Sequence, residues 1–335
     1  MTNESVAKKS YTWYNFTKKM NDFSRKIKYD KWKAWIYLAP ALVLLAIFTV
    51  WPIFNTIMMA FKEGYNPMYE LNPEFDGWTF GLQNFIDLFA HASAFTNALV
   101  NTLLLCVLTV PISTMLALLI AVALHSIKPL QKLLQTIFFL PYVTNSIAIG
   151  MVFSVMFNIV GDVGSPDANY GVINQIFGTM INWMNLGSTK VANYAVMVIY
   201  IVWNALPFKI LVLLGGLQGV NKQYYDAAKV DGTSKTRVFW RITVPLVSPM
   251  IVYVLITGFI GGFKEYSSIV GIFGEDMGAT GQQAHENMNT MVGVIYDALP
   301  SGQYGKASAA ALVLFVIILI VTLINLKISK KSTHY

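Results

Sequence analysis

The sequence is short of charge, of cysteine and of any polar stretch long enough to build a large soluble domain. Only 12% of its 335 residues are Asp, Glu, Lys or Arg, against about 25% in a soluble domain, so an ordinary solvated surface cannot be assembled from them. Cys106 is the only cysteine. An intrachain disulfide is therefore excluded, and its place in an apolar run reads as that of a small buried hydrophobe. A phosphate cradle of the form G-x-x-x-x-G-K-[ST] is missing, since the one Gly-Lys pair, Gly305-Lys306, is followed by Ala307. H-E-x-x-H and G-x-S-x-G are missing too, which argues against catalysis within the chain. His91, His125, His285 and His334 show no metal-ligand spacing and read as surface or interfacial residues.

Hydrophobic residues make up 55% of the chain. Charge-free apolar runs cover 34–61, 97–124, 133–160, 191–208 (continuing past Lys209 to 217), 242–263 (continuing past Lys264 and Glu265 to about 273) and 307–326. A bilayer-crossing helix needs about 20 apolar residues at 1.5 Å rise each, and every run meets that length. The first run is too long for the apolar region of a signal peptide, so it is expected to be retained. The fold class expected is all-α: a polytopic membrane protein with six transmembrane helices.

Charge sets the expected orientation. Segments 1–33, 126–132, 218–246 and 327–335 hold 19 Lys or Arg, whereas 62–96, 158–191 and 272–307 hold three. By the positive-inside rule both termini are cytoplasmic. The layout expected is a basic N-terminal segment 1–33, a six-span domain 34–326 with a cytoplasmic loop 218–246, and a basic tail 327–335. Trp13, Tyr14, Phe16, Met20, Phe23 and Ile27 suit the first segment to lying on a membrane. The net charge of +7 is spread over these loops and not gathered on one soluble face, so nucleic acid is not an expected partner. The segment 276–290 reads as a polar loop.

Residues 224–245, YYDAAKVDGTSKTRVFWRITVP, form a compact basic elbow between the fourth and fifth runs. Good helix formers cover 221–230, and Gly232 follows where a left-handed C-terminal cap is needed. Thr233 or Ser234 can cap a second helix over 235–242, on which Val238, Phe239 and Ile242 share a face, and Pro245 marks the entry to the next span. An amphipathic loop on lipid headgroups, a docking knob for a soluble partner and a regulatory site all fit these features.

The pattern formed by Asp226, Ala227, Ala228, Asp231, Gly232, Phe239, Ile242 and Pro245 closely resembles the EAA motif of the membrane subunits of binding-protein-dependent ABC importers. Two positions depart from it: Asp226 stands for the usual Glu, keeping the charge on a shorter arm, and Thr233 for the usual Ala. YLAPALVLLAIFTVWPIFNTIMMAFKE, FFLPYVTNSIAIGMVFSVMFN, YGVINQIFG and YGKASAAALVLFVIIL also resemble segments of sugar permeases of the maltose-transporter kind. The resemblance implies a type I importer permease fold in a bacterial plasma membrane. It implies an elbow that couples to two ATP-binding subunits, a second homologous permease subunit, an extracellular solute-binding protein and a carbohydrate substrate. No cofactor is expected in this chain; ATP and magnesium belong on the partner ATPase.

VWNALPFK and GGFKEYSS resemble the parts of sugar permeases that line the central pocket, which makes Trp203, Asn204, Phe208, Phe263, Lys264, Tyr266 and Ser267 candidate pathway residues. Asn204 and Phe208, like Phe263 and Ser267, are i, i+4 pairs that can share a helix face. A cationic Lys264 there would suit an acidic substrate. The alternative is an ion-coupled secondary transporter in which Lys209, Lys264 and Glu265 form the charge relay, because ionisable groups within spans are costly and functional by default.

Overall fold

The structure is a computed structural model that describes residues 32–65, 78–90, 94–127, 131–161, 164–165, 167–185, 187–274 and 288–332. Most of the basic N-terminal segment, most of the 276–290 loop, His91, His285 and His334 lie outside the described residues. The chain divides into two compact units at Met58 and Met59.

Helix α1, Trp32–Ala60, carries the first run and bares apolar side chains along most of its length. A π turn interrupts it at Ala46–Val50, just before Pro52. Proline has no N–H, and its ring collides with the carbonyl four residues back. Widening the preceding turn by one residue relieves that collision.

The second unit is built around α3, Ala94–Ser126, and α7, Lys190–Gln218, which pack along each other, with α9, Lys235–Phe263, against both. Shorter helices are α2, Gln83–Phe89; α4, Gln131–Val143; α5, Ser146–Phe157; α6, Val172–Phe177; α8, Lys222–Val230; α10, Ser267–Phe273; and α11, Met291–Ala298. Helix α12, Tyr304–Ser332, closes the unit. Two minimal antiparallel ladders, β1 (Lys62–Glu63) with β2 (Thr79–Phe80) and β3 (Ile159–Val160) with β4 (Asn169–Tyr170), tie connecting segments together.

Among the described residues five helices are long and apolar enough to cross a membrane, and there are six if one bent pair counts as a span. That pair corrects the expectation of an unbroken third run. Between α4 and α5 the chain bends by 96°. The Asn145 side chain accepts the backbone N–H groups of Ile147 (2.9 Å) and Ala148 (3.3 Å), while the Thr144 hydroxyl donates to the Pro141 carbonyl. These bonds satisfy some of the backbone groups that the break would otherwise leave open, as a helix broken inside a membrane requires. The fifth run is also broken: α9 stops at Phe263, and α10 begins after Lys264, Glu265 and Tyr266.

The helices approach closely where side chains vanish. On α9, a Cβ at Gly262 would lie 2.9 Å from the Cys106 Sγ, and one at Gly258 would lie 3.0 Å from the Val110 Cγ1. This G-x-x-x-G face receives α3, as small residues do for helix pairs in lipid, where packing and not water exclusion drives association. Around Tyr200, the side chains of Phe157, Met197, Ile269, Ile272 and Met288 form one core cluster. Leu213, Leu214, Leu217, Val247 and Val254 form a second, and Phe95, Cys106, Phe263, Ala310 and Leu314 belong to a third.

Candidate functional site

In the elbow, Asn221 caps α8 by accepting the Gln223 N–H at 3.0 Å. The helix ends at Val230, and Gly232 takes φ +65°, a left-handed conformation that costs a side-chain-bearing residue energy and costs glycine little. Its N–H reaches the Lys229 carbonyl at 3.1 Å, and the Thr233 N–H reaches Ala228 at 3.0 Å, satisfying carbonyls the helix end would otherwise leave open. Ala228 is buried, whereas Ala227, Asp231 and Gly232 are exposed. Asp226 is exposed and lies 3.6 Å from Lys229 and 3.9 Å from Lys222, both on its own helix.

The second half of the elbow differs from its expected form. No separate helix ends at Ile242: α9 runs unbroken from Lys235 into the span, through a π turn at Phe239–Thr243 that precedes Pro245 as the α1 turn precedes Pro52. Ser234 holds the N-cap position, but neither it nor Thr233 supplies a side-chain cap bond. Val238, Phe239 and Ile242 are half-buried together, and Phe239 packs on the second core cluster. The Tyr225 hydroxyl meets the buried Thr243 hydroxyl at 3.3 Å, so α8 is tied to the root of the span. A depression of ≈ 640 Å³ beside the elbow, lined by Gly215, Gly219, Asn221, Tyr224, Leu246 and Met250, offers shape but few polar groups.

The second site is a cavity of ≈ 300 Å³ between α3, α7, α9 and the end of α4. Asn204 and Phe208 line it, as the i, i+4 spacing predicts for one face of α7. Phe208 stacks on Tyr142 of α4 with ring centroids 6.0 Å apart and planes at 19°, and lies 6.5 Å from the Tyr253 ring. Thr109, Ser113, Thr257, Lys209 and Glu265 complete the polar lining. Tyr142, Thr109, Ser113 and Thr257 were not among the expected pathway residues. Thr109 and Ser113 are i, i+4 hydroxyls within one apolar run, which is a signal, but only the α3–α7 packing shows which way they face.

The other expected pathway residues go elsewhere. Trp203 sits with Phe153 (5.3 Å) and Tyr200 (6.4 Å) in an aromatic cluster on a different side of α7. Phe263 is buried in the third core cluster, and so does not share an open face with Ser267, because the helix breaks between them. Lys264 and Ser267 are exposed outside the cavity, and Tyr266 stacks on Tyr296 at 4.5 Å.

Nor is the charge relay of the ion-coupled alternative assembled. Lys209 is 4% exposed, and its Nζ donates to the Ser113 Oγ (2.6 Å), the Thr114 Oγ1 (3.0 Å) and the Val110 carbonyl oxygen (3.2 Å). It forms no ion pair with Glu265, whose Oε1 accepts the Ser268 N–H at 3.3 Å. The ammonium therefore holds α7 to α3 while facing the cavity. His125 closes the end of α3, and no cluster of three metal-ligating side chains occurs among the described residues.

Comparison with known proteins bears on both sites. Residues 110–334 match the family described as the binding-protein-dependent transport system inner membrane component. A probable ABC transporter permease protein of Mycoplasma genitalium is 30% identical over 293 residues, covering 85% of this chain and 82% of that protein. The arabinooligosaccharides transport system permease protein AraP of Bacillus subtilis is 30% identical over 309 residues, covering 91% of each. The fold matches a chain from the crystal structure of a bacterial ABC transporter involved in import of the acidic polysaccharide alginate, with a TM-score of 0.72 at 21% identity over 92% of this chain and 99% of that one. The matched segment contains the elbow and most of the cavity lining, and the long apolar helices supply the spans. This chain is a multi-pass membrane protein that belongs to the family of binding-protein-dependent transport system inner membrane components.

Proposed function

We propose that this chain is one membrane subunit of an ATP-driven importer of carbohydrates, and that the cavity between α3, α7 and α9 lies on its translocation pathway. The stacked Tyr142 and Phe208 rings beside the Asn204 amide carry this reading. Sugar rings present C–H faces that pack on aromatic rings, and hydroxyls that pair with amides and hydroxyls; a recognition site needs apolar walls with a few placed polar groups. The names of several relatives agree, among them the arabinooligosaccharide permease and the lactose transport system permease protein LacF of Rhizobium radiobacter.

The elbow is the coupling device in this reading. Asp226, Ala227, Asp231 and Gly232 present a tight helix end to the ATP-binding subunit, the buried Ala228 seats that end on this chain, and Phe239, Ile242 and Pro245 join it to the span. With both termini cytoplasmic the elbow faces the cell interior, where two ATP-binding subunits supply ATP and magnesium chemistry. A second, homologous permease subunit completes the pathway, and an extracellular solute-binding protein delivers the substrate. ATP binding and hydrolysis shift the assembly between states only through contacts that differ between those states, which is what a rigid elbow rooted in α9 provides. The ion-coupled alternative has less support, since Lys264 lies outside the cavity and Lys209 makes no pair with Glu265.

The test is to tag the chain in its host, purify it in mild detergent with whatever accompanies it, and measure ATP hydrolysis with and without carbohydrate and binding protein. Co-purification of an ATPase and a second permease, with stimulated turnover, is expected. A chain that purifies alone and moves solute down an ion gradient would overturn the proposal.

A further inference from the structure

The loop between α5 and α7 holds apolar side chains outward on a braced frame. Asn174 of α6 is buried, and its side chain serves the turn that follows: Nδ2 donates to the Ile181 carbonyl (2.8 Å), while Oδ1 accepts the Ile181 N–H (3.2 Å), the Thr179 hydroxyl (2.8 Å) and the Trp183 indole N–H (3.0 Å). Asn185 does the same for Ile159, accepting its N–H at 2.9 Å and donating to its carbonyl at 2.8 Å. Gly171 is pressed onto the end of α5, where a Cβ would lie 2.5 Å from the Asn158 carbonyl oxygen and 2.7 Å from that of Met156. Trp183 packs edge-on against the buried Phe157 at 5.6 Å. On this frame Ile176, Phe177 and Met180 stand 67%, 71% and 79% exposed.

We infer that α6 and the turn after it form a membrane-seated prong, with Ile176, Phe177 and Met180 among lipid chains at the headgroup boundary of the leaflet opposite the elbow. Its backbone is the first reason. Irregular chain survives next to lipid only where its N–H and C=O groups find partners within the protein, and the asparagine side chains supply those partners at Ile159 and Ile181. Composition is the second: residues 168–189 contain no Asp, Glu, Lys or Arg, whereas a docking face for a soluble protein has a polar rim and charges that steer the encounter. Position is the third. Helix α7 has 29 residues, about 44 Å at 1.5 Å each, close to the roughly 40–45 Å of a bilayer with its headgroups, so its start at Lys190 and the loop before it fall in the headgroup layer. The elbow follows the other end of α7. Helix α5 bares Met151, Val152 and Val155, so the prong begins where an apolar, exposed half-span ends. Seated in lipid, it fixes that end of the bent span at a set depth.

The experiment uses the full chain with its accompanying subunits in proteoliposomes, first without any binding protein. Ile176→Cys and Phe177→Cys carry a bimane label, and Asp167→Cys, exposed in the same loop, is the water-facing reference. Cys106 is buried, and wild type gives the labelling background. Lipid bearing a nitroxide near its headgroup is expected to quench the label at 176 and 177 at least about threefold more than at 167, and aqueous iodide at least about threefold less. Asn174→Ala, which unfastens the turn, should raise iodide quenching at 177 toward the value at 167; unchanged lipid contact in that variant overturns the bracing role of Asn174. Iodide quenching at 176 and 177 equal to that at 167 overturns the prong. Protection from iodide that arises only when binding protein is added would make the surface a docking face for that protein, and overturns the lipid seat. Protection from iodide without quenching by the nitroxide lipid means that another subunit covers the residues, and overturns it equally. None of these outcomes bears on what the complex transports.

Discussion

Gly150 of α5 and Gly271 of α10 touch backbone to backbone. A Cβ at Gly150 would lie 2.7 Å from the Gly271 Cα, and one at Gly271 would lie 2.8 Å from the Ile147 carbonyl oxygen. These two half-length helices follow the two breaks in the apolar runs, so their crossing holds the broken segments together. Neither partner can yield as a flexible side chain would. Gly150→Ala and Gly271→Ala are each expected to destabilise the protein by about 1–3 kcal/mol, the usual cost of overpacking. Gly215→Ala meets nothing within 4 Å and should leave stability unchanged or improved. Melting of the detergent-purified variants checks the contrast; equal melting of Gly271→Ala and Gly215→Ala would show that the α5–α10 crossing is not tight.

The buried Lys209 predicts an asymmetry. Replacing the cation by a neutral chain of similar length, Lys209→Met, leaves Ser113 and Thr114 bonded to their own helix carbonyls, and is expected to change stability by less than about 1 kcal/mol. Removing its partners in Ser113→Ala with Thr114→Val leaves a buried charge undersolvated and should cost about 3–5 kcal/mol. Denaturation of both variants decides this; a greater loss in Lys209→Met would mean that the ammonium is a net stabiliser of the α3–α7 contact.

At the elbow tip, open space and backbone conformation make different demands. Gly232 has nothing within 4 Å of where a Cβ would stand, so only its φ of +65° resists substitution. Gly232→Val should cost about 1–2 kcal/mol locally and uncouple transport, whereas Gly232→Asn, which tolerates the left-handed region, should retain most coupling. The measurement is substrate-stimulated ATP turnover in the assembled complex. Normal stimulation in Gly232→Val would detach the elbow from coupling.

The stacked rings give a prediction about affinity. Tyr142→Ala and Phe208→Ala each remove one face of the platform and are expected to raise the KM for the carbohydrate about tenfold, with unstimulated ATP hydrolysis unchanged. Trp203→Ala removes a ring that lies outside the cavity, among Phe153 and Tyr200, and should lower stability more than it alters KM. Uptake kinetics across these variants separate the two rings from the third. A KM effect as large in Trp203→Ala as in Phe208→Ala would place the substrate elsewhere.

The elbow was legible because its cues are local. A glycine after a run of helix formers and the small Ala227–Ala228 pair act within a few residues of themselves, and the structure places Gly232 at a positive φ as that spacing requires. Its second half was not legible, since Pro245 reads as a boundary until the π turn at Phe239–Thr243 is seen to carry the helix past it. In the cavity, the periodicity of α7 alone put Asn204 and Phe208 on one face. It could not reject Trp203, because one residue along a helix turns the side chain by about 100°, and the sequence does not say which face meets a neighbour.

By itself the sequence determined a membrane-crossing helical chain, its spans and its family, because apolar length is a property of composition and the elbow motif is contiguous. Tertiary structure alone decided where two of those runs break, and that Lys209 is bound to α3 and not paired with Glu265. Those features join residues such as Ser113 and Lys209 that lie 96 positions apart in the chain, and they exist only once the helices have packed.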